Sequence, residues 1–91
     1  MNKSELVDAV ADTTGESKAH AEKAVNATLD AIVAAVASGD KVQITGFGTF
    51  EPRDRAARTA RNPQTGAEIQ VKATTVPAFK AGKGFKDAVK P

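Results

Sequence analysis

Between Phe50 and Gly66 the chain carries Arg53, Arg55, Arg58 and Arg61, with no bulky apolar residue after Phe50. A segment of that composition has nothing to bury and cannot be core. Extended at ~3.3 Å per residue, the run from Phe50 to Arg61 spans ~35 Å, further than so small a body can support, so the segment is expected to project into solvent. Its far end, Asn62-Pro63-Gln64-Thr65-Gly66, has the chemistry of a reversal: Asn opens turns, Pro fixes φ and Gly accepts positive φ. Glu68-Ile69-Gln70-Val71-Lys72 then alternates polar and apolar, as a returning strand does. The expected element is a two-stranded arm over about residues 53–72. Strict alternation puts Arg53, Arg55 and Arg61 on one side and Arg58 on the other. Cations on both sides suit a groove with two phosphate walls.

Around this arm, 91 residues make one domain with little interior, which favours association as a way to cover apolar surface. The net charge of +2 conceals a split: residues 1–40 carry three lysines against seven acidic residues, and residues 41–91 ten lysines and arginines against four. The second half is the expected polyanion-binding half. Cysteine is absent and His20 is the only histidine, so neither a thiolate nor a customary catalytic dyad or zinc site can be assembled. No catalytic residue, metal or cofactor is expected. Gly46 and Gly48 lack the third glycine of a nucleotide-binding pattern, and Gly82-Lys83-Gly84 lacks the spacing of a phosphate loop. Asp8 and Asp12, one helical turn apart, read as a solvated face. With no apolar secretory region near Met1 and no run of ~20 apolar residues, a soluble intracellular protein is expected.

Asn2 with Glu5 three residues on resembles a capping box, and Leu6, Val7, Val10 and Ala11 recur at helical spacing until Thr13-Thr14-Gly15. Ser17 can cap a second helix, ended by Gly39, whose Val25, Leu29, Ile32, Val33 and Val36 form one apolar stripe. Alternation at Val42 and Ile44 gives a strand, Gly46-Phe47-Gly48 reverses it, and Thr49-Phe50 begins the strand that becomes the arm. Residues 68–74 return. The expected organisation is a helical part over 1–40, a sheet with its arm over 41–76, and a basic C-terminal helix over 77–91, with Lys83, Lys86 and Lys90 on one face and Phe85 and Val89 on another.

Gly46, Phe47, Phe50, Arg55, Arg58, Ala60, Asn62, Pro63 and Thr65, at their spacings, resemble the signature of the bacterial HU and integration host factor family of histone-like DNA-binding proteins. The resemblance extends over essentially the whole chain, including Met1-Asn2-Lys3, Asp40-Lys41-Val42 and Val76 to Lys83. It implies an α+β fold with an N-terminal helical hairpin, a three-stranded antiparallel sheet, a long protruding β-ribbon arm and a short C-terminal helix, in an intertwined homodimer. It further implies arms that embrace the DNA minor groove. By matching position, Pro63 would intercalate between base pairs, and Arg53, Arg55, Arg58, Arg61, Asn62 and Lys72 would contact DNA along the arm. Lys3, Lys80, Lys83 and Lys86 would continue the contacts on the body. Phe47, Phe50 and Phe79, with Leu29, Ile32 and Val36, would fill the dimer core. Lys72 departs from the proline many members carry there, and Gly84-Phe85 from the more usual Ala-Leu, which predicts a looser last helix.

The expected function is architectural: largely sequence-independent binding and bending of double-stranded DNA, with a preference for bent, nicked or gapped sites, and compaction of the nucleoid in the bacterial cytoplasm. No membrane role is expected. A sequence-preferring subunit of a heterodimer is the nearer alternative. An RNA-binding module is disfavoured by the lack of Tyr, Trp and any arm Phe for base stacking.

Overall fold

The computed structural model describes residues 1–91. Asn2 starts α1 (Lys3–Thr14), its side-chain oxygen accepting from the Glu5 backbone N–H at 2.9 Å and so satisfying one free donor of the first turn. Gly15 closes the helix with its own N–H on the Ala11 carbonyl. Ser17 caps α2 (Lys18–Ala37) by accepting from the His20 N–H at 3.2 Å. Both helices begin at the expected residues, because short polar side chains there meet donors that nothing else in the helix can satisfy.

The chain falls into two compact units, Met1–Ala34 and Ala35–Pro91. In the first, Val7 of α1 and Ala21 of α2 are buried, and Lys18 pairs with Asp8 at 3.1 Å. They are the only buried apolar side chains of the chain. Along α2, Leu29 and Val33 remain 44% and 66% exposed, so much of the apolar stripe is uncovered.

The second unit contains β1 (Val42–Ile44), β2 (Gly48–Arg55), β3 (Arg58–Arg61), β4 (Glu68–Val71), β5 (Thr74–Ala81) and α3 (Lys83–Val89). Strands β1, β2 and β5 form an antiparallel sheet in that order, and β3 pairs with β4 in a separate ladder. The β1–β2 reversal is a turn in which Phe47 N–H donates to the Ile44 carbonyl at 3.0 Å, with Gly46 at φ 81° supplying the conformation a side chain would resist. Because Val42 faces Phe50, Phe50 faces Phe79 and Pro52 faces Pro77, one side of the sheet collects Val42, Ile44, Phe50, Phe79 and both prolines. Phe47 and Phe85 join there, with ring centroids 4.7 Å apart for Phe50–Phe79, 5.5 Å for Phe47–Phe79 and 5.1 Å for Phe47–Phe85. Phe47 and Phe79 are still 44% and 41% exposed.

One boundary and one packing detail differ from expectation. The C-terminal helix does not begin at residue 77: residues 77–81 belong to β5, and α3 covers only Lys83–Val89. Gly82 N–H donates to the Phe47 carbonyl at 2.7 Å, which makes residues 47 and 82 a hydrogen-bonded pair. Counting along the ladder, Pro52 and Pro77 then meet as a non-hydrogen-bonded pair, where the N–H that proline lacks is not needed. Proline therefore does not stop this strand. Nor is Gly84 a loose point: a Cβ there would lie 2.8 Å from the Gly46 carbonyl oxygen, which itself accepts from the Phe85 N–H at 3.1 Å.

Candidate nucleic-acid interface

The side of the sheet opposite the phenylalanines collects the residues of the other parity: Gln43, Thr49, Glu51, Arg53, Arg55, Lys80 and, just before β1, Lys41. At its centre the Glu51 carboxylate lies 3.5 Å from Lys41 Nζ, 3.5 Å from Arg53 Nη2 and 3.6 Å from Lys80 Nζ. The Glu51 side chain is 13% exposed, whereas its partners are at least half exposed. Loss of water pushes the Glu51 carboxyl up, but the charges of Lys80 and Lys41 and the hydrogen bonds from Arg53 and Lys41 outweigh that. The group is held below the usual carboxylate range. Arg53 and Lys80, expected as contact residues, are thus brought together, while Lys41 and Glu51 were not anticipated. The signal for them was present: a two-strand turn at Gly46 fixes 41 opposite 51 and 43 opposite 49.

Beyond Arg55, paired with Thr74, the sheet ladder stops, and a second ladder starts at Arg58, paired with Val71. Ala56 and Ala57 on one strand and Lys72 and Ala73 on the other lie between the ladders. The register is unchanged across this break, but the hydrogen-bonding phase is not. In the sheet, the 47/82 pair makes positions 49, 51, 53 and 55 of β2 hydrogen-bonded. In the arm, Asn62 N–H donates to the Ala67 carbonyl at 2.9 Å, which makes 58 and 60 the hydrogen-bonded positions of β3. Hydrogen-bonded positions of an antiparallel ribbon of L-residues share one face. Arg53, Arg55 and Arg58 therefore lie on one face and Arg61 on the other, which corrects the grouping that simple alternation predicts. Cations still occupy both faces. The physical reason is the equal interruption of both strands, which advances the pleat by one step without shifting the register.

At the tip, the Asn62 side-chain oxygen accepts from Gln64 N–H at 2.8 Å and Thr65 N–H at 3.4 Å, while the Asn62 carbonyl accepts from Gly66 N–H at 2.7 Å. The Thr65 hydroxyl accepts from Ala67 N–H at 3.3 Å. Pro63 is held exposed inside this collar. The expected contact role of Asn62 is thereby joined by a structural one, since its amide oxygen shapes the loop and only its Nδ2 donors are left for a ligand. Lys72 is exposed in the ladder break. Lys83 and Lys86 are exposed on α3, three residues apart and so on one helical face. Lys3 opens α1, in the other compact unit, and is exposed. No helix is long and apolar enough to cross a membrane.

The chain as a whole is similar to known proteins. A family model described as bacterial DNA-binding protein matches residues 1–90. The DNA-binding protein HU of Geobacillus stearothermophilus is 61% identical over 90 residues, covering 99% of this chain and 100% of that protein. The DNA-binding protein HU 1 of Bacillus subtilis (strain 168) is 56% identical over 89 residues, with 98% and 97% covered. Among solved structures, an Anabaena HU–DNA co-crystal structure superposes with a TM-score of 0.91 at 50% identity, covering 100% of both chains. HU from Thermotoga maritima gives a TM-score of 0.70 at 36% identity, over 99% of this chain and 100% of that one.

Proposed function

The chain belongs to the bacterial DNA-binding protein family, and from that premise we propose that it is an architectural protein that binds duplex DNA largely without regard to sequence, bends it and compacts the nucleoid. The observation that carries this reading is the series of cations that runs from the sheet face through Arg53, Arg55 and Arg58 to Arg61, on both faces of the arm, and ends at the exposed Pro63. Guanidinium and ammonium groups on a ribbon neutralise phosphates whatever the bases, which supplies affinity without sequence information. The minor groove, whose hydrogen-bond pattern is degenerate, fits a two-stranded arm that offers arginines and a proline ring. Insertion of Pro63 into an unstacked step favours DNA that is already bent, nicked or gapped.

The working unit is a homodimer. With only Val7 and Ala21 buried and the phenylalanine cluster and α2 stripe left partly uncovered, one chain has too little interior to stay folded by itself. A second copy offers an equal and self-complementary apolar surface for Leu29, Ile32, Val36, Phe47, Phe50 and Phe79. Gel-shift titration of the purified protein alone with duplexes of unrelated sequence, the same duplexes nicked, and single strands, beside a light-scattering mass, tests both points. Comparable duplex affinities, tighter nicked complexes and a solution mass of two chains are expected. Duplex binding confined to one sequence, or dependent on a different added subunit, would favour the heterodimer reading.

A further inference from the structure

Glu51 is the only acidic residue on the outward face of the sheet, and it sits at the centre of that face with three cations around it. Resting on the DNA-binding reading above, we propose that Glu51 is a built-in competitor for phosphate. Its carboxylate holds Lys41, Arg53 and Lys80 together in the free protein and has to give them up when DNA arrives.

The contacts, 3.5 to 3.6 Å, are longer than the ~2.7 to 2.9 Å of a tight charge-assisted hydrogen bond, so none of the three cations is locked in place. Lys41 and Lys80 keep 69% of their side-chain surface open to solvent, and Arg53 keeps 50%. A phosphate oxygen approaching from solvent offers these donors the same kind of acceptor that Glu51 offers from beneath. The difference lies in mobility: Glu51 is 13% exposed and fixed on a central strand, so it cannot follow the cations outward. Once they turn to the phosphate, Glu51 is left as an anion facing an anion. The same carboxylate therefore stabilises the free fold, by separating three like charges, and lowers the affinity for DNA. A residue that merely supported the fold would strengthen both.

Glu51→Gln keeps the shape and removes the charge. Fluorescence anisotropy with a labelled duplex across a salt series, beside thermal melting without DNA, reads the two effects. Affinity is expected to rise about fivefold at ~0.1 M salt, with a log-log salt slope steeper by about 1 per chain, while the melting midpoint falls by a few degrees. Asp54→Asn is the control, because Asp54 faces the other side of the sheet, where it accepts from the Thr75 hydroxyl at 3.0 Å. It adds the same charge to the chain without freeing the cluster, and its affinity should stay near the parent's. Glu51→Asp, which retains the charge, should also stay near the parent. Weaker or unchanged binding by Glu51→Gln, or an equal gain in Asp54→Asn, would overturn the proposal while leaving DNA binding intact. Failure of the parent protein to bind the duplex would instead overturn the DNA reading, and this inference with it.

Discussion

Gly84 shows how one missing methyl group can fix an element. A Cβ at this position would lie 2.8 Å from the Gly46 carbonyl oxygen, closer than backbone contacts tolerate, while the neighbouring N–H of Phe85 bonds that same oxygen. Helix propensity favours alanine over glycine by about 1 kcal/mol, but forcing α3 off the turn costs about 1 to 3 kcal/mol, so packing decides. Gly84→Ala is expected to lower the urea midpoint, and a more stable variant would contradict the packing account. The sequence alone points the other way, because a glycine inside a helical pattern reads as weakness until the tertiary contact is seen. Glu51 was hidden for a related reason: as one acid among many bases it is unremarkable, and only cross-strand register surrounds it with cations. Its carboxyl is lowered from the ordinary value of 4.5, so its support for the fold is complete above that value and is lost as pH falls through the lowered folded value. The Glu51→Gln variant should lack that part of the parent's acid sensitivity, which melting midpoints followed from neutral to acid pH would show.

At the scale of elements, the arm was readable because its composition forbids burial and its turn residues are specific. Asn62, Pro63 and Gly66 stand at the tip as expected, and both helix caps follow from Asn2 and Ser17. Two features were not readable. The sheet was expected to end at residue 76, yet Pro77 lies in β5 at a position where its missing N–H costs nothing, a fact that depends on ladder phase. The interruption at Ala56-Ala57 and Lys72-Ala73 carries no turn signature, since alanine and lysine are equally at home in a continuous strand. Its consequence is that Arg58 shares a face with Arg55 and Arg61 does not. Arg58→Ala and Arg61→Ala should each reduce the magnitude of the log-log salt slope by about 1 for every phosphate left without its arginine, and weaken unrelated duplexes about equally. The double variant should show the sum of the two, because the two side chains lie on opposite faces and would engage separate phosphates. Unchanged slopes in both single variants would remove the arm from the interface.

For the whole molecule, the match along residues 1–90 and the fold agree with the resemblance that the Gly46 to Thr65 pattern carries. What one chain leaves uncovered, chiefly the α2 stripe and the phenylalanine cluster, follows from its size: the interior is too small for its apolar side chains. Bending a ~20 to 30 bp duplex costs on the order of 1 to 6 kcal/mol, which has to be recovered from phosphate contacts and from insertion at the bend. Pro63, uncharged and held at the tip by Asn62, can contribute only to the second of these. Energy transfer between the labelled ends of such a duplex measures the bend directly, with Pro63→Ala as the comparison. The parent protein is expected to bring the ends together on duplexes of unrelated sequence, and Pro63→Ala to bind with a similar salt slope but a smaller bend. Binding by the parent with no change in end-to-end distance would contradict the architectural function.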